Sequence, residues 1–334
     1  MNLAQVARVV LGPLSLVYGA VVRTRLLLYE MGIFRTRSLE TPVVSVGNLT
    51  LGGTGKTPMV VWLAERFAAR GKRVGILSRG YKGAGGTSDE IELMRARLGE
   101  SVAFGVGANR YHEGRNLEKR GGVDLFLLDD GFQHLKLRRD VNVLLIDAAR
   151  PMASERLLPA GRLREPLSSM ARADLLVFTR TGTNPGAMAA IETLKDGQVF
   201  AARTNVLGFR KHGGDGRLLS MEEMGAGPFF AFCGIGNPAA FVRDLENLGL
   251  PVFGKQAFAD HHRYTPLDAS LLLHSAEEAG AAAFVTTEKD EKNLKAADFG
   301  DVPVYFAVIE FEIPEEAALL AEIERRLAER SAGK

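Results

Sequence analysis

Short apolar runs, separated by Gly-rich turns and amphipathic stretches, recur along most of the chain. The runs at 43–46, 73–77, 102–106, 125–129, 143–147 and 175–179 are almost uninterrupted by polar residues. Strands covered by helices on both faces read this way, because neither face meets water. Between them, 57–69 closed by Gly71 and 109–119 closed by Gly121 and Gly122 carry the terminal glycines of helices. The pattern predicts an α/β fold, a parallel sheet flanked by helices. It weakens over 203–228, a Gly-rich stretch that predicts a domain boundary. Strands at 229–232, 251–258, 283–286 and 304–308 then alternate with helices at 239–248, 267–279 and 315–330. The predicted organisation is an N-terminal segment 1–40, a domain 41–205 and a smaller α/β domain 206–334.

The N-terminal segment follows another pattern. Val9 to Val22 is a 14-residue run without charge, flanked by Arg8 on one side and by Arg23 and Arg25 on the other. As a helix it covers roughly 21 Å, short of the roughly 30 Å of bilayer hydrocarbon, so a simple span is not expected. Gly12 and Pro13 interrupt it, and no small-x-small cleavage site of a secretory signal follows. The expectation is a helix lying in the cytoplasmic face of a membrane, its arginines reaching anionic head groups; a buried core helix is the alternative.

Composition changes this picture little. At about 150 residues per domain, 334 residues make two domains, and 46% hydrophobic residues fill two cores. One cysteine, Cys233, forms no internal disulfide and fits a reducing compartment. A net charge of +2 gives no electrostatic reason to expect nucleic acid. The charge is uneven, since residues 1–40 hold five arginines against Glu30 and Glu40.

The chemistry concentrates after the first strand. Ser45-Val46-Gly47-Asn48 runs into Gly52-Gly53-Thr54-Gly55-Lys56-Thr57-Pro58 and then a helix. Glycines there let backbone N–H groups close around phosphate oxygens at a helix N-terminus, Lys56 reaches the outer phosphates, and the Thr57 hydroxyl suits Mg²⁺. The usual loop opens on glycine where this chain has Thr50. A later strand, 125–128, delivers Asp129 and Asp130 to its end, which is how a P-loop enzyme completes its Mg²⁺ shell; Asp147 rivals them for that role.

Together with Ser78-Arg79-Gly80-Tyr81, Asp129-Asp130-Gly131-Phe132-Gln133-His134, Leu163-Arg164-Glu165-Pro166-Leu167, Phe258-Ala259-Asp260-His261-His262 and Thr286-Thr287-Glu288-Lys289-Asp290, these segments resemble the tetraacyldisaccharide 4'-kinase (lipid A 4'-kinase) family over nearly the whole chain. The resemblance implies a P-loop NTPase-like domain, a second smaller α/β domain and a membrane-associated N-terminal helix. It implies transfer of the ATP γ-phosphoryl group to the 4'-hydroxyl of an acylated glucosamine disaccharide 1-phosphate, at the inner membrane's cytoplasmic face. Asp89 and His261 match the family's catalytic pair. Asn48, Arg79, Tyr81, Arg110 and Arg164 are expected to bind the acceptor, and Glu165 to add a further Mg²⁺ contact.

Some residues carry a second reading. Thr87 with Glu90 also forms a capping box that makes Asp89 a first-turn acid, and Ser88 and Ile91 replace the Gly and Pro usual around the family's acidic pair. His262 and His274 read as structural, and Asp260-His261-His262 is not expected to hold a metal. A membrane-attached nucleotide switch of the partitioning type is the alternative function. Its loop carries a second lysine where this chain has Leu51, and it has no use for Asp89 and His261.

Overall fold

The computed structural model describes residues 3–80, 89–150, 152, 155–181, 199–225 and 227–332. The chain divides into two units, residues 1–203 with 313–334, and residues 204–312.

In the first unit the predicted apolar runs become β1 (Val43–Asn48), β2 (Val74–Ser78), β3 (Val102–Val106), β4 (Leu125–Asp129), β5 (Val141–Asp147) and β6 (Leu175–Thr179). Their order is β3-β2-β4-β1-β5-β6, and each neighbouring pair is parallel. β1, β2, β4, β5 and β6 are buried along their whole length, which is why they show no polar alternation. Helices α2 (Lys56–Ala69), α3 (Asp89–Leu98) and α4 (Arg110–Arg120) belong to this unit. Burying Met59, Val60, Trp62, Leu63 and Phe67 fixes α2 to the sheet.

Three features depart from the sequence reading. Helix α1 (Leu3–Glu30) runs for 28 residues straight through Pro13. The interruption expected at Gly12-Pro13 does not occur, and the 14-residue limit set by charge understates the helix. Among the described residues, Leu11–Glu30 is long and apolar enough to cross a membrane by length and composition, with a mean hydropathy of 1.3. Secondly, the weakly patterned boundary contains a long strand, β7 (Val199–Lys211), whose first residues pair in parallel with β6. Its alternating, half-exposed pattern lacks the continuous apolar run of a fully covered strand. Thirdly, the last helix, α7 (Glu316–Ala332), folds with the first unit and not with the domain that precedes it in sequence. Arg326 and Arg330 both bind Asp174, at 3.1 and 3.0 Å, and Arg66 binds Glu316 at 3.1 Å.

The second unit has the strand order β7-β11-β10-β8-β9, with β8 (Phe229–Cys233), β9 (Val252–Ala257), β10 (Ala283–Thr287) and β11 (Val304–Glu312). Phe229, Ala231 and Cys233 pack on one side with Phe241, Val242 and Leu245 of α5 (Pro238–Asn247). Phe230 and Phe232 pack on the other with Ala269, Leu272 and Ala276 of α6 (Pro266–Glu278). Both faces are therefore apolar, and the strand reads as one unbroken run.

Candidate active site

The site of the first unit forms where β1 and β4 end side by side, Val46 level with Asp129. Open parallel sheets bind ligands at the carboxyl ends of their strands. Gly47 leaves room for the turn that follows β4: a Cβ there would meet Phe132 Cβ at 2.6 Å.

After β1 the chain closes a loop over residues 49–55 and enters α2 from Gly55, which sits in the left-handed region at φ 86°. Gly52 is also left-handed, at φ 108°. Thr50, the departure from the usual motif, is buried and bridges antiparallel to Leu163. Leu51 N–H donates to Arg162 O at 2.8 Å, and Arg164 N–H donates to Leu49 O at 2.7 Å. Position 50 thus serves as a strand-like clasp, for which a β-branched threonine suits better than glycine. Thr54 is buried, its hydroxyl accepting from Asn48 Nδ2 at 2.8 Å and its carbonyl from Thr179 Oγ1 at 3.2 Å. The Gly53 carbonyl accepts from Arg180 at 2.9 Å. Thr57, in the first turn of α2, is half-buried beside Lys56.

Lys56 Nζ lies 3.2 Å from Asn48 Oδ1 and 3.6 Å from Asp130 Oδ1. Arg164 grips the same carboxylate with two hydrogen bonds, of 2.7 and 3.1 Å. Asp130 can face both cations because its backbone turns into the left-handed region at φ 47°, which aspartate tolerates better than most residues. Burial opposes its charge, yet Lys56 and Arg164 prevail and hold its pKa below the ordinary carboxylate value. Asp129 is the opposite case. Burial first, and the Asp130 charge next, push it up to about 6, although the Ser78 hydroxyl donates to it at 3.1 Å. Two adjacent carboxylates thus differ in protonation through environment alone. The Glu90 charge also reaches Asp129, which brings the start of α3 to this site, and Asp89 is the first residue of that helix.

Arg110 opens α4, buried, with its pKa lowered by burial and then by Arg79, while the Asp130 and Asp129 charges act against that shift. Arg79, just after β2, thus acts by its charge on Arg110. Tyr81 lies outside the described residues, as do Thr87 and Ser88 and with them the capping box expected at Asp89.

Other expected residues take different places. Asn48 is fully buried, its amide engaged with Thr54 and Lys56, so it braces the loop from within and presents no surface to an acceptor. Arg164 spends its guanidinium on Asp130. Glu165 is buried and ion-paired with Arg172, not set among the loop carboxylates. Burial raises its pKa despite that partner. Asp147 is held by Arg180 at 2.6 Å, and through Arg180 it supports Gly53. His134 is half-buried, and burial together with Arg110, Arg139, Lys136 and Arg25 lowers it to about 4, which keeps the ring neutral at physiological pH.

In the second unit, residues 260–261 form a turn, and His261 is left-handed at φ 61°. His261 Nε2 lies 3.4 Å from Lys289 Nζ, which also reaches Asp260 at 3.2 Å. The buried Asp290 holds the surrounding loops by accepting from Gly234 N–H at 2.9 Å and the Tyr264 hydroxyl at 3.0 Å. His262 stacks on Phe258 and binds Asp268 at 3.1 Å, a structural role as expected.

A family model described as tetraacyldisaccharide-1-P 4'-kinase matches residues 7–328. The chain belongs to this 4'-kinase family. The tetraacyldisaccharide 4'-kinase of Geobacter sulfurreducens is 39% identical over 329 residues, covering 93% of this chain and 91% of the relative. That of Geobacter metallireducens is 38% identical over 336 residues, covering 95% and 97%. A crystal structure of LpxK from Aquifex aeolicus in complex with ATP superposes with a TM-score of 0.75 at 33% identity, covering 96% of this chain and 99% of that one. Membership of the 4'-kinase family selects the kinase over the nucleotide switch.

For a 4'-kinase chain, several structural partners of the site escaped the sequence reading. Ser78 and Arg180 stand at or just after the ends of β2 and β6, where position alone flags them. The polar residues of α1 carry no such signal, because their partners are remote in sequence, and Arg172 meets Glu165, seven positions before it, only through the turn between them.

Proposed function

We propose that the chain phosphorylates the 4'-hydroxyl of an acylated glucosamine disaccharide 1-phosphate with ATP at a membrane surface. The observation that carries this reading is the cluster Asn48, Lys56, Asp130 and Arg164 at the ends of β1 and β4, in a chain of the 4'-kinase family. Backbone N–H groups of residues 52–56 at the start of α2 cradle the phosphates, and Lys56 stands where it can turn from Asn48 and Asp130 to the γ-phosphate. The Thr57 hydroxyl with Asp129 and Asp130 offers the hard oxygen donors that Mg²⁺ prefers, so these residues would hold it. When bound, the ion neutralises charge on the transferring phosphoryl group.

Asp89 takes the proton of the attacking hydroxyl, from a helix start whose next residue already acts on Asp129. His261, held by a turn of its own unit, is assigned a catalytic role on the strength of the family resemblance. Arg79 and Arg110, with Tyr81, hold the acceptor's 1-phosphate, as guanidinium pairs do for phosphate.

The acceptor's acyl chains stay in lipid, since each exposed CH₂ costs about 0.8 kcal/mol. Helix α1 answers this need. Leu14, Leu16, Val17, Val21 and Leu27 are exposed on it, an apolar surface suited to the bilayer face. Its polar groups at 15, 18 and 25 are bound to the first unit, which favours a helix lying on the membrane over one leaving the protein to cross it.

Purified protein given ATP and Mg²⁺, with and without the disaccharide lipid, tests this reading. ADP formation is expected to depend strictly on the lipid; equal turnover without it would restore the switch. In the same assay Asp89→Ala is expected to lower kcat by about 10²- to 10⁴-fold, with ATP affinity unchanged. An intact kcat with a reduced Tm would make Asp89 a helix-start acid only.

A further inference from the structure

Helix α1 does more than expose an apolar surface. Its inward stripe, Ser15, Tyr18, Val22 and Arg25, follows the three-to-four-residue spacing of one helix face. Ser15 is buried, its hydroxyl donating to Leu157 O and accepting from Ala160 N–H, both at 2.9 Å. The Tyr18 hydroxyl donates to Arg164 O at 2.8 Å. Arg25 Nη2 donates to Gln133 O at 2.9 Å.

The two carbonyls that Tyr18 and Arg25 grip belong to residues whose side chains hold Asp130 and Asn48, the neighbours of Lys56. Arg164 holds Asp130, which faces Lys56 at 3.6 Å. Gln133 Nε2 donates to Asn48 O at 2.9 Å, and Asn48 Oδ1 accepts from Lys56 at 3.2 Å. Two independent chains of contacts, Tyr18–Arg164–Asp130 and Arg25–Gln133–Asn48, therefore converge on one ammonium group. Here two polar side chains ten-odd ångströms apart along the helix, at about 1.5 Å per residue, hold the backbone of Arg164 and Gln133, whose side chains in turn hold the two residues beside Lys56.

We propose that Tyr18 and Arg25 are positioning residues for phosphoryl transfer: they set the placement of Lys56 from the membrane-facing helix, so that the enzyme is fully competent only with α1 docked. The activity arm of this proposal rests on the kinase reading above; its structural arm does not.

The test uses the full chain on vesicles of phosphatidylethanolamine and phosphatidylglycerol, with Tyr18→Phe, Arg25→Gln and the double variant. Each single variant is expected to lower kcat about tenfold, through the loss of one hydrogen bond that positions the neighbours of Lys56, and the double variant further. KM for ATP is expected to stay within about twofold, and co-sedimentation with vesicles and Tm to stay near wild type. Arg25→Lys, which keeps the charge and one donor, should recover part of kcat. An unchanged kcat in the double variant, or a kcat loss that tracks lost vesicle binding, would overturn the proposal. Should wild type fail to phosphorylate the lipid, the kinase reading falls separately, and amide exchange decides this one. Residues 47–57 are expected to exchange several-fold faster in the double variant than in wild type, with residues 204–312 unaffected, and equal exchange at 47–57 would contradict it.

Discussion

Replacing Lys56 with alanine is expected to lower kcat by about three orders of magnitude. Phosphoryl transfer asks little covalent chemistry of the protein, so placed charge supplies most of the rate. Among the described residues, Lys56 is the cation that α2 presents at the loop itself, with Asn48 at 3.2 Å and Asp130 at 3.6 Å holding it there. Removing one such donor from a developing negative charge costs about 3–4 kcal/mol in well-studied sites. Arginine is not an adequate replacement, because a planar fork cannot occupy the position of a compact ammonium braced by one amide and one carboxylate. The fold should tolerate the change, since Lys56 is partly exposed and Arg164 still satisfies Asp130. Single-turnover kinetics with the lipid acceptor, beside a thermal melt, check this. A kcat within tenfold of wild type would show that Lys56 stands outside the reaction.

Asp129→Asn is expected to remove most activity, on the order of 10²-fold, and at the same time to raise stability at pH 8. The two effects have one origin. Burial and the neighbouring Asp130 push the Asp129 carboxyl up to about 6, above its value of 3.8 in an unfolded chain. A raised folded-state value means the folded protein binds this proton more tightly than the unfolded one. Its contribution to stability is then fully present below about pH 4 and is lost as pH rises through about 6. At pH 8 wild type thus carries a buried, ionised Asp129 at a cost of about 3 kcal/mol, which a neutral asparagine avoids while still meeting the Ser78 hydroxyl. On the proposed function the carboxylate would offset this cost by offering Mg²⁺ a hard oxygen donor. Wild-type turnover should correspondingly fall as pH drops below about 6, where protons occupy Asp129, and added Mg²⁺ should shift that limb to lower pH. Thermal melts of both proteins from pH 4 to 8 are the check. An asparagine variant less stable than wild type at pH 8 would mean that Asp129 is not held in a protonation-favouring site.

Much of this site could be read from local sequence, because its chemistry is local. A strand, a Gly-rich turn and a lysine at a helix start are adjacent in sequence, and the Asp129-Asp130 turn ends a strand of the same sheet. What escaped is tertiary. Nothing near Thr50 shows that Leu163 will pair with it, and nothing near Glu165 shows that Arg172 will take its carboxylate from the loop. Asn48 looks like an exposed polar residue of a motif, but full burial turns it into an internal brace. At the scale of the fold, β7 was missed because alternation replaced the continuous run of a fully covered strand. The last helix was placed with the wrong unit because sequence order is no guide to which core a terminal helix joins. Pro13 is a different case. Its missing N–H and its ring break many helices, yet α1 continues through it, with Pro13 and Leu14 exposed.

The most direct test of the whole account is a crystal structure of the protein with Mg²⁺ and a non-hydrolysable ATP analogue. The predicted result places the β- and γ-phosphates within hydrogen-bond reach of the backbone N–H groups of residues 52–56, with the Lys56 ammonium turned onto the terminal phosphate. An analogue bound elsewhere, with the 49–57 loop empty and Lys56 still on Asn48 and Asp130, would contradict it.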